Sequence, residues 1–205
     1  MSFNFQVFDG RIVPKGDASQ LPSRVQLTIS DRNLNLNSSV GRATYHEPMC
    51  LWDKSTSNMA DFTTQFSFVI GSEHNETFAD GLTFFLGPNG SDFASNSSGG
   101  NLALVSVNRN PSDPSTTFHR CGIRHFLGLV RGQNHERWTH NASISYNSRA
   151  QDVSVLMIDA TDPKRNIAKH SHSVNLTEYL PEWMTVGFSV TTGLSFESHS
   201  VLMGI

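Results

Sequence analysis

The chain has 205 residues, 37% of them hydrophobic, enough for one well-buried core and short for two independent domains. Its formal net charge is −3 with no basic stripe, which excludes the electrostatic footprint of a nucleic-acid or anionic-membrane binder. Apolar runs such as 66–70 and 82–86 fall far short of the ~20 residues that a membrane-spanning helix requires.

Taken in chain order, the apolar residues recur with period two. They are Phe3, Phe5 and Val7; Val25, Leu27 and Ile29; Phe62, Phe66, Phe68 and Ile70; Ile144 and Tyr146; Val153, Val155 and Met157; and Val186, Phe188 and Val190. This alternation predicts half-buried strands. Asp-Gly, Pro-Asn-Gly, Ser-Gly-Gly, Asn-Pro and Asp-Pro steps punctuate them and supply turn conformations. One helical turn is predicted, over 176–180, stopped by Pro181. No repeat is visible, and the Ser/Asn/Gly-rich stretch 89–101 reads as a loop. The pattern predicts an all-β, two-sheet antiparallel sandwich of the jelly-roll kind over one domain, 1–205.

The start runs straight into alternating residues, with neither a charged leader region nor a small-residue cleavage site. Asn-x-Ser/Thr acceptors occur at Asn37, Asn75, Asn89, Asn96, Asn141 and Asn175, a density that suits a glycosylated extracellular protein. Cys50 and Cys121 lack framework spacing, so two unpaired thiols are expected.

Several runs resemble the legume-type (L-type) lectin domain, including its versions in plant lectin receptor kinases. The most specific are Val40-Gly-Arg-Ala-Thr-Tyr45 and Leu180-Pro-Glu-Trp183 continuing to Gly187-Phe-Ser189. Others are Ala79–Leu86, Ser97–Leu104 and Ile144–Ser148. The resemblance implies a lectin that binds glycans or glycoproteins in a shallow pocket at one end of a curved front sheet. It also implies an extracellular or plasma-membrane-associated location, and a homodimer is open to it.

Residue by residue, the resemblance makes Asp80 the loop acid that accepts hydrogen bonds from sugar hydroxyls, as an ionised carboxylate is suited to do. Taken alone, Asp80-Gly81 would be an ordinary turn. Gly99 and Gly100 match a second loop, where a backbone N–H approaches a sugar oxygen, although the pair reads equally as a flexible Ser/Gly loop. Thr192, Gly193, Leu194 and Ser195 match the stretch that sets monosaccharide preference, or form a plain hairpin turn.

Family members use calcium and manganese, held by an acidic strand, and calcium needs six to eight oxygen ligands. Here 93–112 contains no Asp or Glu, and between Asp113 and Asp152 the only carboxylate is Glu136. Either Asn110, Asp113 and His119 stand for part of the ligand set, or the acidic strand is deleted near 118–119, and deletion fits the loop lengths better. Arg124 then replaces an acid after His119, and a cation opposes metal binding. The front sheet is expected to be incomplete, the C-terminal end truncated, no metal cofactor bound, and saccharide binding weak or lost. A non-binding defence-type relative is the alternative. His170 and His172 lack a third ligand nearby and read as an exposed edge. No enzyme is expected, since neither a Glu-x-Asp-x-x-Glu run nor a Gly-x-Ser-x-Gly elbow occurs and a glycoside hydrolase would need paired carboxylates.

Overall fold

The computed structural model describes residues 2–4, 11–29, 38–71, 81–93, 99, 102–104, 138–160, 166–193 and 197–202. Thirteen strands lie among them: β1 (Ser2–Asn4), β2 (Ile12–Gly16), β3 (Ser19–Leu21), β4 (Arg24–Gln26), β5 (Val40–Tyr45), β6 (Met49–Cys50), β7 (Phe62–Gly71), β8 (Gly81–Pro88), β9 (Trp138–Asn147), β10 (Asp152–Asp159), β11 (Asn166–Ser173), β12 (Trp183–Thr191) and β13 (Ser198–Leu202). They form two sheets. Eight strands run in the order β11-β10-β9-β7-β13-β4-β3, with β1 parallel to β7. The other five are built on β12, which pairs with β8 along one edge and with β5 and β6 along the other, while β2 lies outside β5.

The predicted alternation is visible in the burial. Along β7, Phe62, Thr64, Phe66 and Phe68 are buried while Thr63 and Gln65 are exposed, and β10 buries Val153, Val155 and Met157 in the same rhythm. These residues meet Leu82, Phe84 and Leu86 of β8 and Val186, Phe188 and Val190 of β12 in one core. At its centre Phe66 stacks on Phe84, with centroids 6.0 Å apart, and meets the ring of Phe188 edge-on at 4.7 Å. Such pairs add about 1 kcal/mol each beyond the apolar area they bury.

The predicted helical turn is a 3₁₀ turn, Leu176–Glu178, with the Leu180 N–H bonded to the Leu176 carbonyl at 2.9 Å just before Pro181. Cys50 is unpaired, and Cys121 lies outside the described residues. So do the expected break at 118–119 and the C-terminal residues 203–205. His170 and His172 are exposed on β11, the edge strand of the described eight-stranded sheet. No helix among the described residues is long and apolar enough to cross a membrane.

Candidate functional site

Alternation along β12 sends Val186, Phe188 and Val190 into the core, so Gly187, Ser189 and Thr191 face the other side of the five-stranded sheet. Those positions would be solvent-facing in a bare sheet, yet Ser189 and Thr191 are fully buried. The cover is a second stretch of chain. Ser189 Oγ donates to the Leu102 carbonyl at 2.7 Å, and Thr191 Oγ1 donates to the Gly99 carbonyl. From β5, Arg42 Nη2 donates to the Ala103 carbonyl at 2.6 Å and Nη1 to the Ser91 carbonyl at 3.4 Å. The Arg42 guanidinium carbon lies 4.9 Å from the ring centroids of both Phe85 and Phe93, and the side chain is completely buried. Burial pulls its pKa down to about 10, against the opposing field of Asp92, so it stays a cation at neutral pH.

The covering stretch has an unusual backbone. Gly99, Leu102 and Ala103 have φ of 65°, 52° and 56°, in the left-handed region that a bulky residue such as Leu rarely occupies. Left-handed non-glycine residues cost on the order of 1–3 kcal/mol each and persist where the surroundings over-determine them. Ser189, Thr191 and Arg42 supply that determination by engaging three carbonyls of this stretch.

The end of β12 gathers further segments. Gly81, the residue after Asp80, pairs in register with Thr191 and has φ of 120°, a conformation that favours glycine. On the other side the Thr192 N–H donates to the Ser39 carbonyl at 2.8 Å, Thr192 Oγ1 accepts from the Ser39 N–H at 2.8 Å, and the Gly193 carbonyl accepts from the Ser38 N–H at 3.0 Å. Asp17 Oδ2 fastens this segment in turn, accepting from Ser39 Oγ and the Val40 N–H, both at 2.9 Å. Three segments singled out in the sequence therefore meet around one residue, Thr191: the strand that follows Asp80, the Gly99 turn, and Thr192-Gly193.

The legume lectin domain model matches residues 1–119 and 125–203. The chain belongs to the legume lectin family. It is 32% identical to an alpha-methyl-mannoside-specific lectin of Arachis hypogaea, over 97% of this chain and 79% of that protein. Among solved structures it is similar to Ulex europaeus lectin II in complex with galactose, with a TM-score of 0.76, 27% identity and coverage of 94% and 90% of the two chains. It is also similar to arcelin-5, a lectin-like defence protein of Phaseolus vulgaris, with a TM-score of 0.75, 25% identity and coverage of 96% and 91%.

In this legume lectin, Gly99, Thr192 and Gly193 are the predicted sugar-loop residues that the structure brings together. Asp80, Gly100, Leu194 and Ser195 lie outside the described residues, as do Asn110, Asp113 and His119. No group of three or more His, Cys, Asp or Glu side chains that could hold a metal occurs among the described residues. Asp92, beside the covering stretch, accepts from Lys15 Nζ at 3.0 Å and from the Phe93 N–H at 2.8 Å, bonds that hold its carboxyl below the usual range. Thr191, Arg42, Ser39 and Asp17 were not expected from sequence. Only the position of Thr191 and Ser189 in the β12 alternation signals that they share a face.

Of the glycosylation acceptors, Asn89, Asn141 and Asn175 are described, and Asn37, Asn75 and Asn96 are not. Asn89 is exposed on the turn after β8. Asn175 caps the 3₁₀ turn, with Oδ1 accepting from the Thr177 N–H at 3.2 Å and Nδ2 donating to Glu178 Oε1 at 3.1 Å. Asn141 sits within β9.

Proposed function

We propose that this lectin domain binds saccharide, free or on glycoproteins, at the end of β12, without catalysis and without a metal ion. The observation that supports the reading is the convergence of Gly81, Gly99 and Thr192-Gly193 on Thr191, since the family resemblance draws its sugar-contact loops from the stretches these residues belong to. Asp80, adjoining Gly81, supplies the carboxylate acceptor. The Arachis relative is named for a mannoside and the Ulex lectin is complexed with galactose, so mannosides and galactosides are the first ligands to try.

The donor chemistry does not fit the calcium and manganese of the family resemblance. Asp92 is committed to Lys15, and 93–112 carries no acid. The alignment with the Arachis lectin spans 229 positions against the 205 residues of this chain, so that relative has positions with no counterpart here. The family match is interrupted at 120–124, next to the expected deletion. The buried Arg42, with Ser189 and Thr191, takes over the tethering of the loop beneath the pocket. Binding is accordingly weak.

The same shortage of carboxylates favours a second reading, a non-binding scaffold like a lectin-related defence protein. Replacing Asp80 separates the two. Asp80→Ala is expected to abolish binding of mannosides and galactosides measured by calorimetry on the folded chain, whereas unchanged affinity removes this pocket from the account. The acceptor density suits an extracellular or plasma-membrane-associated protein, and a homodimer fits the exposed edge strand β11.

A further inference from the structure

Among the described acceptors, Asn141 differs from the others in what its face of the sheet offers. On β9, Ala142, Ile144 and Tyr146 are buried in the core, so Asn141, Ser143 and Ser145 face outward from the eight-stranded sheet. Asn141 Oδ1 accepts from Ser67 Oγ of β7 at 2.6 Å, which fixes the amide. Its Nδ2, the atom that carries an N-linked glycan, has no hydrogen bond among the described residues, and the side chain is part-exposed. Asn175 contrasts with it, since Nδ2 there is donated to Glu178. Glycan transfer acts on the unfolded chain, and an outward Asn lets the strand then close with the sugar in place.

The same outer face holds a groove of about 580 Å³ lined by Ser143, Ser145, Ser154, Leu156, Lys169 and Ser171. Strand register puts it beside Asn141. Ser145, Ser154 and Ser171 form one row across β9, β10 and β11, and Ser143, Leu156 and Lys169 form the next. Asn141 begins the row after that, about 7 Å along the strand at an antiparallel rise of about 3.4 Å per residue. Asp152 Oδ2 accepts from Ser154 Oγ at 2.9 Å and from Ser171 Oγ. Those hydroxyl protons are thereby committed to Asp152 on the same face, leaving oxygen lone pairs as acceptors for sugar hydroxyls and acetamido N–H groups. Lys169 adds a donor, and Leu156, at 37% exposure, adds an apolar patch for the C–H face of a sugar ring.

We propose that Asn141 carries an N-linked glycan whose first core sugars lie in this groove, so that the chain's own glycan covers the outer face of the eight-stranded sheet. The inference is independent of saccharide binding at the β12 end.

The test uses the full chain secreted from a eukaryotic host, with site occupancy mapped by mass spectrometry and enzymatic glycan release timed under native and denaturing conditions. Asn141 is expected to be occupied. Its native release is expected to be slower than that from Asn89 by about fivefold or more, the factor that one or two net hydrogen bonds supply, with the difference gone after denaturation. A Leu156→Ala, Lys169→Ala double substitution is expected to bring native release at Asn141 up to the Asn89 rate. An unmodified Asn141 in the folded, secreted protein overturns the proposal. So does release from Asn141 as fast as from Asn89 in the native protein. A dimer of the glycosylated chain that Leu156→Asp dissociates also overturns it, because a second copy would then occupy the face.

Discussion

Arg42 and Thr191 do most to shape the candidate site. Arg42 is a buried cation between two aromatic rings, donating to the Ala103 and Ser91 carbonyls. Truncation removes charge-assisted hydrogen bonds and leaves carbonyls buried without donors, at about 1–3 kcal/mol for each unsatisfied group. Arg42→Ala is therefore expected to lower unfolding free energy by about 3 kcal/mol in urea titration. Arg42→Lys should also destabilise, because an ammonium cannot reproduce the planar fork that reaches two carbonyls. A Lys variant as stable as the parent would contradict this reading. Thr191→Val keeps the shape and loses only the hydroxyl that holds the Gly99 carbonyl. It is expected to cost about 1 kcal/mol of stability and to weaken saccharide binding, while Thr191→Ser retains both. Calorimetric titration of the folded variants checks the pair.

At the scale of elements, the long strands were legible and their coverings were not. The alternations over 62–70, 153–157 and 186–190 became β7, β10 and β12 because one face of each meets the core and the period of side chains in a strand is two. The same rule misleads at Gly187, Ser189 and Thr191, whose polar or small side chains read as solvent-facing. Residues distant in sequence, Gly99 and 102–104, cover that face through the bonds from Ser189, Thr191 and Arg42, and no local pattern encodes such a contact. The short strands β2, β3, β5 and β6 were equally illegible. β2 contains Pro14, which cannot donate to a ladder, and it sits at the sheet edge, where that is tolerated. Close approach between elements also escapes a pattern. A Cβ added at Gly41 of β5 would lie 1.8 Å from the Leu27 carbonyl oxygen, so backbone must shift to admit it. Gly41→Ala is expected to destabilise the fold by more than the few tenths of a kcal/mol typical of a surface change, seen as a lower Tm.

β9 and β10 carry a second element-scale consequence. His140 and Asp159 pair in register, both buried, and His140 lies against the ring of Phe68 with centroids 5.3 Å apart. Burial lowers the imidazole pKa, with Asp159 opposing. The unfolded chain takes up a proton near the ordinary histidine value of about 6.5, whereas the folded chain takes it only at lower pH. This contribution to stability is thus complete above about pH 6.5 and is lost as pH falls through the lowered folded value. His140→Phe is expected to flatten the fall of Tm over that acid range relative to the parent. Parallel Tm-against-pH curves for the two proteins would contradict the assignment.

For the molecule as a whole, family membership was legible from a few runs, and the two-sheet sandwich followed from it and from the alternation. The candidate site was half legible. Gly99, Thr192 and Gly193 were singled out from the resemblance and lie around Thr191, whereas the residues that hold them, Thr191, Ser39 and Asp17, belong to no local motif. Asp80 lies one residue beyond Gly81, where the described chain enters β8. In the function proposed above, these loops are tethered by a buried arginine and hydroxyls instead of by a metal cluster. The most direct test is saccharide titration of the folded full chain with mannosides and galactosides, in excess calcium and manganese and again in chelator. Weak binding of the same affinity in both conditions is expected; binding that disappears on chelation, or no binding in either, would contradict a metal-independent saccharide site.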